Sequence, residues 1–142
     1  MLGIMDYRTM PTDPPLLVVS TQIVALDRAT GATRWRYDLE GVGRRFAVEA
    51  DRIFVFDSKG WLHCVAVANG QRIGRVELEL QLANSMLVDG ERLYVSGDNE
   101  VVALDLTGRI LWRSQIPMNG SHSLGGLGVP GGNLVQPDFS TA

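Results

Sequence analysis

Cysteine is nearly absent from this chain: among its 142 residues Cys64 stands alone. No internal disulfide can therefore form, and neither a zinc site of several thiolates nor a CxxC redox pair can be built. An excess of charge of one sign is also missing. Thirteen Lys and Arg face 16 Asp and Glu, a net charge of −3 without long blocks, which gives no electrostatic reason to expect nucleic acid or an anionic membrane as partner. Long apolar runs are lacking as well. Residues 1–15 carry Asp6, Arg8, Asp13 and the prolines Pro11, Pro14 and Pro15, so neither a signal peptide nor a membrane span is expected there, and with Met1 as native start the expected location is the cytoplasm. Sustained helical periodicity is the last absence. The apolar stretches are short and glycine interrupts them too often for a 3.6-residue repeat to persist.

What is present is an internal repeat. Ala25-Leu26-Asp27-Arg28-Ala29-Thr30-Gly31, followed by Trp35, returns as Ala103-Leu104-Asp105-Leu106-Thr107-Gly108, followed by Trp112. A weaker copy, Cys64-Val65-Ala66-Val67-Ala68-Asn69-Gly70, lies between them. The turn glycines Gly31, Gly70 and Gly108 keep a spacing of 39 and then 38 residues, which is the period of a four-stranded propeller blade. Upstream of the turns, Phe46-Ala47-Val48 aligns with Met86-Leu87-Val88 and, more faintly, with Leu127-Gly128-Val129. Each unit reads as short strands rich in Val, Leu, Ile, Tyr and Trp joined by hairpin turns. In the turn, Asp27 or Asp105 can accept hydrogen bonds from turn amides, and the closing glycine can take the left-handed conformation.

The pattern Ala-Leu-Asp-x-x-Thr-Gly-x-x-x-Trp at Ala25 to Trp35 resembles the tryptophan-docking repeat of quinoprotein dehydrogenases and their cofactor-free relatives, the PQQ-like β-propeller family. The resemblance runs from about Leu16 to Val135. It implies an all-β fold of about three blades, four-stranded antiparallel sheets forming part of a larger or oligomer-completed ring. The expected divisions are an extension at 1–15, a partial blade at 16–40, blades at 44–80 and 85–118, the start of another at 126–136, and a tail at 137–142. It also implies that Trp35 and Trp112 stack on a neighbouring blade's turn, within a structural motif of Ala25, Asp27, Gly31, Trp35, Gly70, Ala103, Asp105, Gly108 and Trp112. The middle blade departs, with Ala66 where Asp would stand and Gly74 where Trp would, which breaks the girdle of tryptophans. Relatives of this kind are often periplasmic.

Chemistry is harder to find. Trp35, Trp61 or Trp112 could form a platform for a quinone, yet two of them sit at the repeat's own docking position, and packing is the simpler role. Asp98-Asn99-Glu100 occupies a hairpin turn and lacks the spacing of a calcium loop. Ser121-His122-Ser123 places a hydroxyl beside an imidazole, but no Gly-x-Ser-x-Gly elbow accompanies it. Gly125-Gly126-Leu127-Gly128 is followed by no Gly-Lys-Ser/Thr and so is no phosphate loop. His63 reads as a half-exposed sheet residue, and Arg44, Arg45, Arg52 and Arg92 as solvated surface. No catalytic, cofactor-binding or metal-binding residue is assigned, and no cofactor is expected. The expected function is a non-catalytic module for protein contact, completed into a ring by self-association, another polypeptide or further sequence; the alternative is a fragment of a PQQ-dependent dehydrogenase. No nucleic-acid partner and no membrane insertion are expected.

Overall fold

A computed structural model of the chain describes residues 13–80, 85–97, 99–117, 124, 126–131 and 134–135. All of its regular elements are β-strands. The first sheet is β1 (Leu16–Val19), β2 (Gln22–Leu26) and β3 (Thr33–Asp38), in that order. The second is β4 (Gly43–Glu49), β5 (Arg52–Asp57), β6 (Trp61–Ala66) and β7 (Arg72–Glu77), and the third β8 (Ser85–Asp89), β9 (Arg92–Ser96), β10 (Glu100–Asp105) and β11 (Ile110–Gln115). A hairpin of β12 (Leu127–Gly128) and β13 (Leu134–Val135) follows and lies against β8. Every pairing is antiparallel between neighbours in sequence, the up-and-down order of propeller blades.

The sequence repeat is a repeat of register. Ala25 faces Trp35, Cys64 faces Gly74 and Ala103 faces Trp112, and in each hairpin the register slips immediately after that pair. The slip is a bulge, and the turn glycine beyond it absorbs the resulting twist with φ of +78° at Gly31, +75° at Gly70 and +98° at Gly108. Asp27 Oδ1 accepts the amides of Ala29 and Thr30, and Asp105 Oδ1 those of Thr107 and Arg109. In the middle copy Ala66 offers no carboxylate. Asn69 Oδ1 takes the Gln71 amide instead, while the backbone bond from Gly70 N to the Ala66 carbonyl keeps the same turn.

Period-two alternation on β5 decides where the core lies. Ile53 and Val55 point to the first sheet and join Ile23, Val65 and Val67. Phe54 and Phe56 point to the third sheet and join Leu62, Met86, Val88, Leu93, Val95, Val102 and Leu104. The middle sheet is thus buried on both faces, each large aliphatic contributing about 1.5–3 kcal/mol relative to exposure. Two tight hairpins connect inner to second strands, with the first turn residue left-handed, Ala50 at φ +52° and Gly90 at +61°. No helix among the described residues is long and apolar enough to cross a membrane.

Candidate interaction surface

The seam between the first and second sheets is built by two side chains of β3. The indole of Trp35 lies on the turn glycine of the next sheet: a Cβ on Gly70 would come within 2.6 Å of the ring. Its Nε1–H donates to the Val67 carbonyl at 2.8 Å. Two residues on, the Tyr37 hydroxyl meets His63 Nδ1 at 2.9 Å, and His63 Nε2 meets Asp57 Oδ2 at 2.7 Å. Asp57 also accepts the amides of Glu40, Lys59 and Trp61. Burial works to raise the Asp57 pKa, but the hydrogen bonds from His63 and the amides outweigh it and hold the carboxyl below its ordinary value. An ionised Asp57 only accepts, so Nε2 carries the proton and, in the neutral ring, Nδ1 accepts the Tyr37 O–H. The two inner members of the relay, His63 and Asp57, are buried, and Tyr37 is half-buried at its outer end. Arg75 pairs with Glu40 and lies 4.2 Å over the Trp61 ring, closing the rim.

The seam between the second and third sheets works differently. At Gly74 the indole is missing, and the Thr107 carbonyl moves to 3.1 Å from where a Cβ would stand. Only a cavity of about 10 Å³ remains, lined among others by Gly74, Cys64, Asp105 and Gly108. Arg52 Nη1 donates to the Leu106 carbonyl at 3.1 Å, and Arg113 Nη2 to the Leu78 carbonyl at 2.7 Å. Ser85 and Ser96, both buried, satisfy each other at 2.8 Å. Among the described residues no buried side-chain polar atom lacks a partner.

Among the described residues the two ends of the stack are open. Among the described residues nothing pairs with the free edge of β1, and the first sheet has three strands where the others have four. Leu16 and Val18 on β1 are exposed, and so are Phe46 and Val48 on β4, at 50% and 43%. Their repeat equivalents on β8, Met86 and Val88, are 3% and 5% exposed, because β4 stands in front of them. At the far end Trp112 is 42% exposed and its ring lies tilted against Tyr94, centroids 6.0 Å apart and planes at 44°. An open hollow of about 470 Å³ beside it is lined by Val101, Trp112, Arg113, Ser114 and Ile116.

A family model described as outer membrane protein assembly factor BamB matches residues 20–135. The chain belongs to that family. Among solved structures, BamB from Moraxella catarrhalis superposes with a TM-score of 0.64 at 19% identity, over 79% of this chain and 37% of that one. A europium-containing methanol dehydrogenase gives 0.61 at 20% identity over 72% and 23%, and the quinohemoprotein alcohol dehydrogenase of Comamonas testosteroni 0.60 at 19% over 78% and 22%. At these identities the likeness is one of fold, a β-propeller. The chain spans well under half the length of each of these structures. No curated protein sequence matches it.

In this BamB-family chain Ala25 and Ala103 are buried beneath their turns, while Asp27, Gly31, Asp105 and Gly108 shape the turns. Of the two docking tryptophans, Trp35 meets a turn and Trp112 meets none among the described residues. His63 corrects its expected place: it is wholly buried, because its face of β6 is turned to the first sheet and Tyr37 and Asp57 satisfy both ring nitrogens. Arg52 is likewise no free surface cation but bridges two sheets. Ser121-His122-Ser123, Asp98 and Gly125 lie outside the described residues. Among those described, no cluster of three metal-ligating side chains occurs, and Glu100 is paired with Arg113.

Proposed function

We propose that this chain is a non-catalytic propeller module that acts by protein contact through the open ends of its stack of sheets. The observation that carries this reading is the apolar exposure at those ends: Leu16, Val18, Phe46 and Val48 at one, Trp112 and Ile116 at the other, with Val42 and Ile73 the further exposed apolar side chains among the described residues. An unpaired strand edge flanked by such residues is a template for adding a strand from another chain. The polar groups that would interest a chemist, Tyr37, His63 and Asp57, are consumed in holding two sheets together. Membership of the BamB family supports a role in outer-membrane protein assembly, and with it a site in the cell envelope rather than the cytoplasm; fractionation of cells expressing the full gene decides between them.

The rival reading, a piece of a quinone-dependent dehydrogenase, draws on the likeness of fold to a methanol dehydrogenase and a quinohemoprotein alcohol dehydrogenase. A photo-crosslinking residue at Val18 in living cells, together with a dye-reduction assay after adding PQQ and calcium to the purified chain, separates the two. Protein adducts without quinone-dependent reduction are expected. Quinone-dependent turnover without adducts would overturn the reading.

A further inference from the structure

We propose that the cavity between the turns of the second and third sheets is a docking site for an arginine side chain presented by a partner protein. This goes beyond contact at the open ends, since it uses another face of the molecule.

The cavity measures about 280 Å³, and its lining includes Glu49, Asp51, Arg52 and Phe54 of the second sheet and Glu91 and Leu106 of the third. A one-residue deletion accounts for it. In the second sheet the Val67 N–H donates to the Asp51 carbonyl at 2.9 Å, which closes the β6–β7 turn onto the β4–β5 turn and leaves Val67 buried. The β10–β11 turn is one residue shorter, Leu104-Asp105-Leu106-Thr107-Gly108 against Val65-Ala66-Val67-Ala68-Asn69-Gly70. Leu106, the counterpart of Val67, forms no such bond with Glu91 among the described residues and is only half-buried. Its carbonyl is taken instead by the second sheet, where Arg52 Nη1 donates to it at 3.1 Å. Without the closing bond, the gap between the two turns of the third sheet stays open as part of the cavity.

The lining has an apolar floor and a charged rim. Phe54 is buried and Leu106 half-buried, and they form the floor. Three carboxylates, Glu49, Asp51 and Glu91, stand against one guanidinium, that of Arg52. Arg52 is already engaged, by the Leu106 carbonyl and by Asp51 Oδ1 at 3.7 Å. Glu49 and Glu91 reach the cavity from different sheets, and neither has an ion pair among the described residues. Two unpaired like charges on one small cavity favour a cation between them. Among the described residues no three ligating side chains stand close enough together to hold a metal ion.

An arginine meets both demands of the lining. Its methylenes cover the apolar floor, while the planar guanidinium offers donors along two edges, one to each wall. A lysine head is a compact, strongly hydrated point charge and serves one wall at a time. The cavity is smaller than the roughly 300–1,000 Å³ that enclose a whole small molecule. A single side chain whose backbone stays outside fits that size.

Titration of the isotope-labelled full chain with the capped peptide acetyl-Leu-Arg-Leu-amide, followed by amide chemical shifts, tests this. Saturable shifts are expected at Ala50, Asp51, Gly90, Glu91 and Leu106, with a Kd of about 1 mM. The same peptide with citrulline for arginine keeps the shape and loses the charge, and is expected to bind about tenfold more weakly. Glu49→Gln and Glu91→Gln, both at exposed positions, are each expected to weaken binding by about twofold to fivefold, and added salt to weaken it further. Equal binding of the citrulline peptide, or unchanged binding to both variants, would overturn the site. Free arginine that binds as tightly as the peptide would overturn protein docking in favour of a small ligand. Adducts at Val18 in cells without saturable shifts at the cavity overturn this site and leave the contact reading standing; shifts without those adducts keep the site and overturn contact at the open ends.

Discussion

Replacing Gly70 by alanine isolates the energy of one docking contact. Two costs add at this position. At φ +75° an alanine bears the left-handed penalty, about 1–2 kcal/mol. Its Cβ would also stand 2.6 Å from the Trp35 ring, so the indole must withdraw, at a cost of about 1–3 kcal/mol for an overpacked core. Withdrawal breaks the bond from Trp35 Nε1 to the Val67 carbonyl, adding about 1 kcal/mol. The sum is about 3–6 kcal/mol, large against the marginal stability of a domain of this size. Gly108→Ala is the matched control. It stands at the same turn position with φ +98°, and its nearest neighbour, Val76 Cγ1, is at an ordinary 3.8 Å, so only the backbone cost of about 1–2 kcal/mol applies. Urea unfolding followed by far-ultraviolet circular dichroism measures both, with m-values compared to confirm that the denatured states match. Equal losses at the two glycines would refute the docking argument, since strain alone would then explain both.

Other perturbations read other parts of the stack. Gly74→Trp, which restores the repeat's consensus residue, is expected to destabilise by about 3 kcal/mol or more, because the Thr107 backbone already fills the space and cannot yield cheaply. Thermal unfolding of that variant checks it. Cys64 is expected to react with a thiol reagent only on unfolding: it is buried, and burial pushes its thiol up to about 11, so thiolate is scarce at neutral pH. Asp57→Asn is expected to cost about 1–3 kcal/mol at neutral pH, because the carboxamide accepts the His63 N–H and the Glu40, Lys59 and Trp61 amides less well than the carboxylate. Because the folded Asp57 pKa lies below the ordinary 3.8, its contribution is present above that value and lost as pH falls through the folded one. Asp57→Asn should therefore flatten the acid limb of the stability profile, while Asp27 and Asp105, shifted in the same direction by Arg34 and by Thr107 respectively, keep a residual slope.

The architecture was legible because it is carried by a local rule written three times. Bulge, turn glycine and docking position recur at the same register, and Gly31, Gly70 and Gly108 mark them in the bare sequence. What occupies each docking position was half legible. Gly74 plainly lacks an indole, but that the Thr107 carbonyl advances to close the gap depends on the approach of two sheets, which no single segment encodes. The Tyr37–His63–Asp57 relay was not legible at all. Asp57 and His63 are six residues apart, a separation that means nothing until the β5–β6 hairpin folds them together, and Tyr37 reaches them from another sheet. Alternation alone could not say which face of β6 would be buried, since β6 is buried on both.

The same pair of repeat positions is chemically matched at each internal seam. Tyr37 and Val76 stand two residues beyond the docking position on β3 and β7, and His63 and Val102 occupy the equivalent position on the following sheet. At the first seam the pair is polar with polar, Tyr37 on His63. At the second it is apolar with apolar, Val76 packing on the cluster that holds Val102. Each seam therefore depends on its own kind of match. Tyr37→Phe takes the hydroxyl from a ring nitrogen of buried His63 and is expected to cost about 1–3 kcal/mol, the desolvation penalty of a polar atom left without its partner. Urea unfolding of Tyr37→Phe beside the parent measures it. An unchanged midpoint would mean that the first seam is held by the Trp35 contact alone and that its polar pair adds nothing.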